Sequence, residues 1–174
     1  MVEQQEMTGK ARHMDLEKMF NEADALLDAG HHREAFRLFY KAAKAGDRAS
    51  WLNVGYCFDV GLGVRRSRQR ALFWYRKAVS KGDGSAANNI GTMYRDEGRP
   101  RLAARWFQRA ASLGDTGALL NLAKLYLGPL DDRAKARSAL TRVARARDVT
   151  ENSREQAEEL LSRMGSLRKT KADS

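Results

Sequence analysis

Cysteine occurs once in this 174-residue chain, at Cys57, which excludes an intramolecular disulfide framework and a cysteine-rich zinc site. Proline occurs twice, at Pro100 and Pro129, too seldom to punctuate a many-stranded fold, and alternating runs of Val, Ile and Thr are missing. No apolar run approaches the roughly 20 residues that span a bilayer. The first residues, Met1-Val2-Glu3-Gln4-Gln5-Glu6, lack a basic region followed by an apolar stretch, so a soluble, cytoplasmic domain without a secretory leader is expected. Acidic residues are in the minority, 22 against 32 basic ones, which gives a net charge of +10. Hydrophobic residues make up 43 %, enough for a folded core and too many for a disordered chain.

What the chain does have is alanine and leucine at three- and four-residue spacing, the mark of helices, and a pattern that returns. Four aspartates, Asp47, Asp83, Asp115 and Asp148, are separated by 36, 32 and 33 residues. Twelve residues before each lies Ala35, Ala71, Ala103 or Ala136; eight before lies Phe39, Tyr75, Phe107 or Leu140; five before lies Ala42, Ala78, Ala110 or Val143. Gly46, Gly82 and Gly114 immediately precede the first three aspartates, and Arg147 breaks the pattern in the fourth. Six residues after come Asn53, Asn89 and Asn121, then Gly55, Gly91 or Ala123 two further on, and Phe58, Tyr94 or Tyr126 at eleven.

These columns have a mechanical reading. Glycine ends a helix in the left-handed conformation, and the aspartate caps the helix that follows. The Gly/Ala columns let two helices cross closely, and the aromatic columns fill the space beside the crossing. Each repeat is a helix pair unable to bury its apolar face alone, so several must stack.

The residues Asn53-Val54-Gly55-Tyr56-Cys57-Phe58, Gly61-Leu62-Gly63-Val64, Arg70-Ala71-Leu72-Phe73-Trp74-Tyr75-Arg76-Lys77-Ala78 and Gly82-Asp83 resemble a tetratricopeptide-like unit of the Sel-like repeat (SLR) subfamily. The third repeat keeps Asn89-Ile90-Gly91-Thr92-Met93-Tyr94 but lacks the Gly-x-Gly-Val insertion, which shortens its period. The resemblance implies an all-α, right-handed solenoid of about four repeats, at residues 15–47, 48–83, 84–115 and 116–148. A capping helix at 150–164 completes a repeat domain of residues 15–164, with Ala157, Leu160, Leu161 and Met164 forming its apolar face. Residues 1–14 and 165–174 read as a flexible N-terminal segment and a basic flexible tail.

Catalytic motifs do not emerge. Gly61-Leu62-Gly63 follows a helix, not a strand, and reads as the repeat's own turn rather than a phosphate loop. His31, His32 and Glu34 fall in a polar turn without a further ligand at metal spacing, so neither metal nor cofactor is expected. Cys57 stands opposite Met93 and Leu125 in the repeat alignment and reads as a reduced core residue. The expectation is a non-enzymatic adaptor. By resemblance to the family, the first helix of each pair lines a concave groove. Its positions here are Leu52, Asn53, Tyr56 and Asp59; Asn88, Asn89, Thr92 and Arg95; and Leu120, Asn121, Lys124 and Leu127. An asparagine amide both donates and accepts, so it can pair with the main chain of a bound peptide, or equally tie neighbouring helices together.

The positive charge is uneven. Residues 1–47 carry 7 basic and 9 acidic residues, residues 48–115 carry 13 and 5, and residues 116–174 carry 12 and 8. Arg65, Arg66, Arg68 and Arg70 form the densest run. Arg99, Arg101, Arg105 and Arg109 form a second row, and Arg133, Lys135, Arg137, Arg142 and Arg145 a third. A basic ridge on the outer helices suits an acidic protein, with a nucleic acid as the alternative partner. The aromatics Trp74, Tyr75, Trp106 and Phe107 are expected in the core, which argues against base stacking. The identity of the partner and the oligomeric state stay open.

Overall fold

The computed structural model describes the backbone of residues 2–169 and the side chains of residues 14–165. Among the described residues there are nine α-helices and no strand. The chain divides into two compact units, Met1–Lys81 and Gly82–Ser174, the division falling at the second Gly-Asp corner. The first unit holds α1 (Val2–Asp28), α2 (His32–Ala45), α3 (Ala49–Val60) and α4 (Arg68–Val79). The second holds α5 (Gly84–Asp96), α6 (Pro100–Ser112), α7 (Ala118–Leu127), α8 (Arg133–Arg145) and α9 (Glu151–Lys169). Within each unit, consecutive helices pack on one another. The expected boundaries at 14/15 and 164/165 fall inside helices: α1 begins at Val2 and α9 runs to Lys169. Residues 170–174 of the expected tail lie outside the described residues.

The corners follow from the Gly-Asp pairs. At the end of α2, Gly46 takes φ 102° and its amide donates to the Ala43 carbonyl at 3.2 Å, while the Asp47 amide reaches back to Ala42 at 3.0 Å. Gly114 and Asp115 repeat this after α6, with donations to Ala111 and Ala110. That is the left-handed helix stop that glycine adopts without strain. The aspartates then accept from the next helix: Asp47 from the Ser50 amide at 2.9 Å, Asp83 from the Ala86 amide at 2.8 Å, and Asp115 from the Ala118 amide at 3.1 Å. The Ser50 hydroxyl also donates to Asp47.

The fourth aspartate, which lacks the glycine before it, does not cap, and the last helix starts after Thr150, where it is expected. Asp148 accepts from the Thr116 hydroxyl at 2.7 Å, and α9 is capped instead by Thr150, which accepts from the Ser153 amide at 3.2 Å. The reason lies one residue upstream. Arg147 replaces glycine, and the chain leaves α8 extended at Ala146, with φ −72° and ψ 143°, so the tight corner never forms.

Inside the hairpins, each repeat glycine faces a ring. A Cβ built on Gly55 would lie 2.5 Å from Cδ1 of Tyr75, and one on Gly91 would lie 2.6 Å from Cδ1 of Phe107. Both rings are fully buried. In the fourth repeat the two positions hold Ala123 and Leu140, both buried: a methyl group enters where the ring is missing. The Gly61–Val64 loop is a structural turn, as expected. Gly63 has φ +69°, and a Cβ there would lie 2.0 Å from the carbonyl oxygen of His32. Cys57 is buried in the first unit, and loss of hydration pushes its thiol up to about 11, as befits an inert core residue. Ala157 and Met164 of α9 are buried, Leu160 and Leu161 are half-buried, and the Arg154 guanidinium donates to the Ala146 carbonyl at 3.1 Å.

Candidate functional site

Helix α3 buries Ser50, Trp51, Val54, Gly55, Cys57 and Phe58, which leaves Leu52, Asn53 and Tyr56 on its other side. Leu52 and Asn53 are half-buried there, and Tyr56 is 46 % exposed. In the second unit, α5 holds Asn88, Asn89 and Thr92 half-buried and Arg95 exposed; α7 holds Asn121 half-buried and Lys124 exposed. Much of this polar row is engaged within the unit. The Asn121 amide donates to Oδ1 of Asn88 at 3.1 Å, joining α5 to α7. Lys124 Nζ donates to Oε1 of Gln156 on α9 at 3.1 Å, and Arg95 pairs with Asp96 at 2.9 Å. Leu120, placed in the groove by resemblance to the family, is instead buried together with Leu119 and Leu122 of the same helix.

The basic rows are mostly exposed. Arg65 lies open; Arg66 is exposed but its Nε donates to the Asp59 carbonyl at 2.7 Å and so fastens the loop. Arg68 is half-buried, and Arg70 is exposed with its guanidinium 5.5 Å from the centre of the Phe58 ring. In the second unit Arg101, Arg105 and Arg109 are exposed along α6, four residues apart on one face. Lys135 sits 2.7 Å from Asp132, an ion pair that holds the Asp132 carboxyl below and the Lys135 ammonium above their ordinary ranges. Among the described residues no group of three His, Cys, Asp or Glu side chains could hold a metal ion. Nor is any helix there long and apolar enough to cross a membrane.

The aromatic residues differ from expectation. Trp74, Tyr75 and Phe107 are buried, but Trp106 is only half-buried, and two rings outside the repeat columns stand at the surface. Phe73 is 61 % exposed and Tyr40 37 %. They belong to a chain of edge-to-face contacts in the first unit. Phe36 meets Phe58 at 5.2 Å, Tyr40 meets Trp74 at 5.9 Å, and Phe73 meets Trp74 at 5.3 Å between ring centres. Lys77 Nζ lies 4.4 Å from the Trp51 ring centre and 5.0 Å from that of Trp74. Two surface hollows flank Phe73. One of about 440 Å³ is lined by Tyr40, Lys44, Phe58, Arg70, Phe73, Trp74 and Lys77. The other, of about 680 Å³, is lined by Gln69, Leu72, Phe73, Arg76, Lys77 and Ser80. A signal for both rings lay in the repeat alignment. The column of Phe73 otherwise holds Arg37, Arg105 and Ser138, and that of Tyr40 holds Arg76, Gln108 and Thr141.

Comparison with known proteins agrees with the helix-pair geometry. The Sel1 repeat family model matches residues 32–47, 52–83 and 84–115. A Sel1 repeat protein from Oxalobacter formigenes superimposes with a TM-score of 0.69 at 26 % identity, over 85 % of this chain and 62 % of that one. The SLR-fold protein c5321, a protective antigen of uropathogenic Escherichia coli, gives a TM-score of 0.57 at 27 % identity, over 64 % of this chain and 25 % of that one. DAP3-binding cell death enhancer 1 of Rattus norvegicus is 32 % identical over 65 residues, 37 % of this chain and 13 % of that protein. The Arabidopsis thaliana ERAD-associated E3 ubiquitin-protein ligase component HRD3A is 32 % identical over 66 residues, 37 % of this chain and 10 % of that protein. The chain thus spans about a tenth of the length of these curated relatives.

Proposed function

The chain is a Sel1 repeat protein, its matched repeats lying within residues 32–115, and on that premise we propose that it is a non-enzymatic scaffold that binds a protein or peptide partner. The observation that carries this reading is the outer face of α3. A helix that buries Ser50, Trp51, Val54, Cys57 and Phe58 on one side offers the exposed ring of Tyr56 beside Leu52 and the Asn53 amide on the other. Tyrosine supplies apolar area and a hydroxyl at small entropic cost, which is why it is enriched where proteins meet. Asn89, Thr92 and the Asn88–Asn121 pair supply the corresponding polar face in the second unit. Of two relatives, one is named for binding DAP3 and the other as a component of a ligase, which supports a role in association. A cytoplasmic setting goes with this reading, with Cys57 kept as a buried thiol.

The test is site-specific photo-crosslinking in the native cell. A benzophenone side chain at Tyr56 and at Asn89 is expected to trap one and the same protein. Purified, that protein should lose most of its affinity for the Asn89→Ala/Arg95→Ala variant while the variant keeps its helical signal. Full binding by the double variant, or trapping only from position Arg105, would move the interface to the outer helices. A second reading, a basic nucleic-acid-associated module, draws on the exposed row Arg101, Arg105 and Arg109. Phosphate binding weakens steeply with salt, so absence of oligonucleotide binding on filters at low salt removes it.

A further inference from the structure

We propose that the first unit carries a second docking site, centred on Phe73 and built on α2 and α4, which takes an acidic peptide segment bearing a large apolar side chain. Three independent features meet there. The first is exposed apolar surface in a place where the other repeats are polar. Phe73 and Tyr40 stand in columns otherwise occupied by arginine, glutamine, serine or threonine, so helix packing does not require a ring at either position. An exposed ring continuous with further rings forms an apolar patch, and apolar patches rimmed by polar groups mark interaction surfaces.

The second feature is shape. The hollows of about 440 and 680 Å³ share Phe73 and Lys77, so the Phe73 ring stands between two depressions, each wide enough for a leucine or phenylalanine side chain. The third is charge. Lys44, Arg70 and Lys77 line one hollow, Arg76 and Lys77 line the other, and neither lining includes a carboxylate. Lys77 and Arg70 rest on ring faces, and a cation over a ring keeps its full charge for an incoming anion. A lining whose charged groups are all cations favours acidic chains and speeds their encounter.

The same geometry favours a peptide over single-stranded nucleic acid. Binding of successive bases needs several open ring faces in a row. Here Tyr40, Phe58 and Trp74 are edge-to-face with one another or beneath cations, and Phe73 alone is mostly open. One ring with hollows on both sides fits an apolar anchor; the surrounding cations fit the acidic residues beside it.

Fluorescence polarisation on the full chain tests this with three labelled probes: a short Glu/Asp peptide with a central Leu-Phe pair, its Ser-Ser analogue, and oligo(dT). The Leu-Phe peptide should bind about tenfold or more tightly than the analogue, with affinity falling as salt rises. Phe73→Ala should abolish that preference, and Lys44→Glu/Arg76→Glu should weaken the Leu-Phe peptide by about tenfold. All three positions are at the surface, so the variants are expected to keep the wild-type melting temperature. Equal binding of both peptides, unchanged binding by Phe73→Ala, or tighter binding of oligo(dT) than of the Leu-Phe peptide would overturn the proposal.

Discussion

At Gly91 a methyl group would lie 2.6 Å from Cδ1 of Phe107, closer than real side chains approach, so glycine here makes room for the ring. The fourth repeat carries the alternative solution, Ala123 with Leu140. The two positions should therefore be energetically coupled. Gly91→Ala is expected to destabilise the fold by about 1–3 kcal/mol through overpacking. Combined with Phe107→Leu it should cost less than the sum of the two single changes, a coupling that urea denaturation of the four proteins measures. Strict additivity would mean that the ring and the glycine do not constrain one another. The same scale explains what went unread at the surface. Phe73 and Tyr40 sit among buried aromatics in the sequence, and a ring by itself does not say which side of a helix it occupies. Only their polar counterparts in the other repeats set them apart.

At the scale of the element, the helix pairs were legible because their signals are local. Gly46 and Gly114 stop helices, Asp47, Asp83 and Asp115 start them, and the columns between give the buried faces. The fourth corner was legible too, for Arg147 stands where the glycine is missing and the capping helix starts after Thr150, where it is expected, and not on Asp148. Side-chain pairings between helices, such as Asn88 with Asn121, Lys124 with Gln156 and Gln108 with Tyr126 at 2.9 Å, depend on how helices are brought side by side. The sequence spacing leaves those pairings open. The difference between corners gives a measurable contrast. Asp83→Ala removes the acceptor for the Ala86 amide and should cost about 1 kcal/mol. Asp148→Ala removes only an exposed bond to Thr116 and should cost about half of that or less. Chemical denaturation of the two variants separates them; equal losses would restore Asp148 as a cap.

On the scale of the whole molecule, the net charge of +10 is carried by both units, with 15 basic and 10 acidic residues in residues 1–81 and 17 and 12 in residues 82–174. Surplus charge of one sign repels itself, and salt screens that repulsion over a Debye length of roughly 10 Å at about 0.1 M. Raising sodium chloride from about 0.01 to about 0.15 M should therefore raise the melting temperature by about a few degrees, read by differential scanning fluorimetry. A fall on adding salt would show that attractive ion pairs outweigh the surplus. The composition makes this surplus plain, whereas the docking site proposed for part of it rests on Lys44, Arg70, Arg76 and Lys77 lying around one exposed ring.

The ring held against a glycine has a consequence for anyone who would rebuild the protein. Tyr75 and Phe107 lie on one helix of a hairpin and the residues that admit them lie on the other. A single helix transplanted from one repeat to another can bring a ring without its vacancy, or a methyl group without its smaller neighbour. The hairpin is therefore the smallest interchangeable part: recombination, natural or in the laboratory, keeps this fold when its crossovers fall at the Gly-Asp corners and damages it when they fall within a pair.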